Sequence, residues 1–104
     1  MNYFRAQGKG HTLIEMQNHT SKDGANEGGT EGVCCCDSID GLLNNTVMDA
    51  MNDDDEVVVI RGQEIAEIYD GYRVYPTEII ARMTVAEFTR LAETGAAYDY
   101  EDWS

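Results

Sequence analysis

The residues best equipped for chemistry sit in one run, "EGVCCCDSID" (31–40), which holds all three cysteines of the chain: Cys34, Cys35 and Cys36. Three thiols offer metal binding, redox chemistry or plain apolar packing. A structural zinc site draws on thiolates spaced as C-x₂₋₄-C, because tetrahedral coordination needs slack in the chain between ligands. Adjacent cysteines lack that slack. The remaining route to a metal combines Cys34 or Cys36 with the only histidines, His11 and His19. A disulfide between neighbours would force the intervening peptide from its planar trans geometry, and three thiols cannot all pair within one chain. A helix beginning just after Cys36 would lower its thiol pKa through the helix dipole, whereas Asp37 and Asp40 would push it back up. No C-x-x-C is present. The expectation is reduced thiols, with alternate members of "VCCC" packing inward as small apolar groups, and no metal or cofactor.

Carboxylates are the other abundant reactive group. The segment "NDDDE" (52–56) could attract a divalent cation, but it lacks the alternating ligands and the glycine of a calcium loop; a solvated turn is the simpler reading. Nucleophilic catalysis needs a histidine placed by the fold, and His11 and His19 fall in a strand candidate and in a polar loop. Gly8-Lys9-Gly10 lacks the further glycines, the Ser or Thr after the lysine and the following helix of a phosphate loop. A non-enzymatic role follows as the expectation.

Twenty Asp and Glu stand against seven Lys and Arg, a net charge of −13 over 104 residues. A small domain needs a charge of only about 2 to 8 for solubility. The excess repels nucleic acid and anionic membranes and attracts basic surfaces. Direct nucleic-acid binding is therefore not expected, while a protein whose basic surface handles nucleic acid becomes the natural partner. Adaptation to high salt is the competing explanation, with ten aspartates against Lys9 and Lys22. Two clusters would make the contact: Asp53, Asp54, Asp55 and Glu56 in the acidic run, and Asp99, Tyr100, Glu101, Asp102 and Trp103 in the C-terminal segment, where aromatics add contact area. In size and charge the chain resembles the small acidic proteins with which phages block restriction, CRISPR effectors or host transcription, some of them by mimicking DNA. The alternatives are a thiol- or metal-dependent module built on Cys34, Cys35 and Cys36, and an acidic accessory subunit of a larger complex.

The elements that must position these groups can be read from periodicity. "NYFRA" (2–6) and "HTLIEM" (11–16) read as two strands of a hairpin around Gly8-Lys9-Gly10. Residues 17–32, "QNHTSKDGANEGGTEG", hold no apolar residue larger than alanine and read as a mobile loop. Ile39, Leu42, Leu43, Val47, Ala50 and Met51 fall on one helical face, with Asp37 or Ser38 as the cap. "EVVVIRG" (56–62) lacks polar alternation, as a strand covered on both faces would. Asp70-Gly71 marks a hairpin. "TEIIARM" (77–83) reads as a strand, although a helical face also fits. Thr84-Val85-Ala86-Glu87 is a capping box that opens a helix stopped by Gly95.

The sum is one domain over residues 1–104, with a mobile loop at 17–32 and an acidic, aromatic tail at 96–104. Its expected fold class is α+β: a small, mainly antiparallel sheet with two helices packed on one face. No apolar run is long enough to span a bilayer or to serve as a signal sequence, so the cytoplasm is the expected compartment.

Overall fold

Val57, Val58, Val59 and Ile60 are all fully buried, which is why four β-branched residues in a row form the centre of a sheet rather than its rim. They belong to a computed structural model that describes residues 2–18, 32–68 and 71–101. The element order is β1 (Tyr3–Gln7), α1 (Leu13–Gln17), β2 (Val33–Cys35), α2 (Ile39–Leu43), a 3₁₀ turn (Thr46–Ala50), β3 (Glu56–Ile68), β4 (Gly71–Thr84), α3 (Val85–Thr94) and a second 3₁₀ turn (Ala96–Tyr100). The fold is α+β, as expected. Its sheet has the order β1-β3-β4-β2 and every pairing is antiparallel.

The long hairpin β3–β4 is the spine. Its register runs from Glu56↔Thr84 to Ile68↔Gly71, so the chain reverses between Ile68 and Gly71, and residues 77–83 are strand. Register shifts leave Ile65 on β3, and Thr77 and Ile80 on β4, as extra residues without a cross-strand partner. Such bulges bend the strands. The bend brings the sheet's two outer strands together: Phe4 and Cys36 exchange both backbone hydrogen bonds, at 2.8 and 2.9 Å. The small sheet thereby curls until its edges touch.

Curling creates two cores. Inside the curl lie Tyr3, Met16, Val33, Cys35, Val58, Ile60 and Val74. On the opposite face Phe4, Ala6, Val57, Val59 and Met83 meet Ile39, Leu42, Val85, Phe88 and Ala97 from the helical segments. Helices α2 and α3 thus share one face, as expected. A third helix, α1, contributes Met16 to the other core.

Three expectations are corrected. Residues 11–16 are not a strand, because Thr12 and Glu15 form a capping box that closes the first turn of α1; this is the same chemistry that opens α3 from Thr84 and Glu87. Strand β1 consequently pairs with Glu56–Ile60 of β3 instead of with its neighbour in sequence. The single helix expected to run to Met51 is two pieces. Asn44 ends α2, and the Asn45 side chain accepts a hydrogen bond from Val47 N at 3.0 Å, an alternative to helix that asparagine offers. Most of the loop 17–32 lies outside the described residues.

Candidate functional site

The acidic run is held against the start of α3. Backbone carbonyls of Asp55 and Asp53 accept from Val85 N at 2.8 Å and Ala86 N at 3.1 Å, two of the N–H groups that a helix start leaves unsatisfied. Asp55 also folds its carboxylate back to accept from Asn52 N at 2.8 Å. This turn leaves the side chains of Asp53 and Asp54 exposed, and Asp54 forms a 3.4 Å ion pair with Lys9 in open solvent. Glu56 is different. It is buried, takes Arg82 Nη1 on both oxygens at 2.8 and 2.9 Å, and accepts from Gln7 Nε2 at 3.1 Å. Its carboxylate belongs to the fold.

The C-terminal segment follows the other end of α3, where Gly95 adopts φ +86 and terminates the helix. The tail is docked. Tyr98 and Tyr100 pack on the helical core, and Asn2 Nδ2 donates to the Tyr100 carbonyl at 2.6 Å. Glu101 Oε1 accepts from Ile39 N at 2.6 Å, at the first turn of α2. The Tyr98 hydroxyl donates to Asp40, and that bond holds its pKa above the usual tyrosine value. Asp99 stays exposed. Asp102 and Trp103 lie outside the described residues.

The two clusters therefore flank α3, whose 10 residues span about 15 Å at 1.5 Å per residue. Between and beside them the same layer exposes Asp40, Asp49, Glu87 and Glu93. Sequence reasoning passed over these four because each is isolated in the chain; dividing the charge by element would have found them. Residues 37–55 and 85–101 hold ten carboxylates (Asp37, Asp40, Asp49, Asp53, Asp54, Asp55, Glu87, Glu93, Asp99, Glu101) and one cation, Arg90. Residues 2–18, 56–68 and 71–84 hold five of each sign: Glu15, Glu56, Glu64, Glu67 and Glu78 against Arg5, Lys9, Arg61, Arg73 and Arg82. The strands and α1 are electrically balanced. The helical segments carry −9; with Asp37 set aside, because it faces the Tyr72 hydroxyl of β4, the helical layer itself carries −8.

The cysteines divide by strand alternation. Cys35 points into the curl, 3.7 Å from the Tyr72 carbonyl, and burial pushes its thiol pKa far up. Cys36 is buried in the helical core and receives Asn45 Nδ2 at 3.7 Å. Cys34 is half-buried, with Arg73 Nη2 3.6 Å from its sulfur and its carbonyl bonded to Arg5 Nη1 at 2.8 Å. His11 is exposed, 3.9 Å from Glu15, while His19 lies outside the described residues. Among the described residues no three His, Cys, Asp or Glu side chains converge as a metal site would require, and no helix is long and apolar enough to cross a membrane.

Comparison with protein-family models, curated proteins and solved structures finds no match to this chain.

Proposed function

We propose that this chain is a non-catalytic acidic binding protein whose helical layer engages the basic surface of a nucleic-acid-handling protein. The observation that carries the reading is the segregation of charge among the described residues: −8 on the helical layer, leaving aside Asp37, which faces Tyr72 of β4, against zero on the strands and α1. Charge serving only solubility has no reason to collect on one layer. A one-signed layer focuses the field, speeds encounter with a basic partner and gives an association that salt weakens. The phosphate-binding surface of a nucleic-acid enzyme offers the matching sign, and carboxylates there would stand in for phosphates. The contact set is Asp40, Asp49, Asp53, Asp54, Glu87, Glu93 and Asp99, with Asp102 and Trp103 as sequence-based additions. Inhibition of the partner and a place among phage-type inhibitors belong to this proposal, as does a cytoplasmic site of action.

The test is capture from a bacterial lysate with the full chain as bait, eluted by a salt gradient. The expected result is a DNA- or RNA-handling protein released in a salt-dependent step and displaced by added duplex DNA. Capture that is indifferent to salt and to DNA would overturn the reading. A thiol-dependent module is the second reading, and its support is the contact of the half-buried Cys34 sulfur with the Arg73 guanidinium at 3.6 Å. Unchanged capture by a Cys34→Ser bait would remove it.

A further inference from the structure

Strand β3 is thirteen residues long, and β1 covers only Glu56–Ile60. Among the described residues, no strand pairs with Arg61–Ile68 on the side away from β4. The matching edge of β4 is guarded. Strand β2 covers Tyr72–Val74, Pro76 has no N–H to offer, and its carbonyl already accepts from Gln17 Nε2 at 2.9 Å; proline and covering segments are how sheets blunt such edges. Among the described residues the β3 edge has neither protection. It presents instead an apolar anchor between two carboxylates: Ile65, the extra residue of its bulge, is 40% exposed and is flanked by the exposed Glu64 and Glu67.

We infer that this edge is a second docking surface, which takes an extended segment of another protein carrying alternating basic and apolar side chains, added as a fifth strand. Main-chain hydrogen bonds give such strand addition its affinity, and side-chain alternation gives it its selectivity. The charges choose the occupant. Two copies of this chain paired edge to edge would oppose Glu64 and Glu67 to their own counterparts and bring together two molecules of −13 each, which like-charge repulsion disfavours. The bulge at Ile65 adds a twist that further discourages self-pairing. A lysine- or arginine-bearing strand meets the opposite situation. This surface is separate from the helical layer, so the inference does not depend on the proposed function.

The experiment is amide hydrogen exchange by NMR on the full chain, with an end-capped (Lys-Val)₄ peptide as probe. At a peptide concentration about ten times Kd, amides within Gln63–Ile68 should exchange about tenfold more slowly. Ile65→Lys and Glu67→Lys should abolish that slowing, while Asp53→Asn with Asp99→Asn should leave it intact. Because a strand variant can lose its fold, wild-type protein with a peptide N-methylated at alternate amides serves as the control, and it should give no slowing. Protection confined to the helical layer, or nowhere, would overturn the inference. So would slowing that grows with protein concentration in the absence of peptide, since the occupant would then be a second copy.

Discussion

Neighbouring carboxylates in one acidic run have opposite fates here. Asp54 is solvated, and its pairing with Lys9 is between two largely exposed groups, a type worth about 0–1 kcal/mol. Glu56 is two residues on, buried, and shared by Arg82 and Gln7. Glu56→Gln should therefore cost about 1.5 kcal/mol, at the lower end for hydrogen bonds to charged groups because Arg82 remains in reach of water. Asp54→Asn should fall within about 0.5 kcal/mol of wild type. Paired urea melts read both, and equal effects would refute the distinction. The thiols divide similarly. In native protein at neutral pH, Cys35 and Cys36 should resist iodoacetamide, and both should be modified once urea unfolds the chain; mass spectrometry of the labelled peptides decides. The alternation of "VCCC" was readable from sequence, since a strand must send Cys35 and Cys36 to opposite faces; that both faces are buried, so that these neighbours both pack inward, was not. The burial of Glu56 was not, because its partners Gln7 and Arg82 are 49 and 26 residues away.

Elements were legible where local chemistry alone decides them. Thr84, Glu87 and Gly95 bound α3 in sequence and in structure, because caps act within one turn. The same capping box at Thr12 and Glu15 was hidden by an apparent hairpin around Gly8-Lys9-Gly10, and only the pairing of β1 with β3 resolves the competition. Bulges are long-range as well: nothing near Gly62 announces that a Cβ there would lie 2.1 Å from the Tyr75 carbonyl oxygen. Gly62→Ala should cost about 3 kcal/mol, the upper range for overpacking. Gly8→Ala, with its nearest neighbour 3.8 Å away, should be nearly neutral in the same urea melts. The docked tail adds a pH signature. The hydroxyls of Tyr3, Tyr72 and Tyr98 are all raised, Tyr3 mainly by burial, Tyr72 by the charge of Asp37 and Tyr98 by its bond to Asp40. A raised pKa means the fold holds the proton more tightly than the unfolded chain. That stabilisation is complete below the unfolded value near pH 10 and is lost as pH rises through the folded values. Urea midpoints should therefore fall above about pH 10, with less of a fall in Tyr98→Phe; a flat profile would contradict these contacts.

Whole-molecule electrostatics link the fold to its proposed use. A net charge of −13 opposes compaction, and the helical layer concentrates that repulsion, so sodium chloride should raise the melting temperature by screening it. The size of the total charge was plain in the sequence. Its distribution was not, because it depends on which segments the curled sheet gathers on one side. The decisive measurement compares capture by two baits moved equally from −13 to −11. One carries Asp53→Asn and Asp99→Asn on the helical layer; the other carries Asn18→Lys and Thr77→Lys, beside α1 and on β4. If the helical layer is the binding surface, the first bait loses the salt-eluted partner and the second keeps it. Equal loss from both would mean that net charge alone governs capture, and the layer would have no special role.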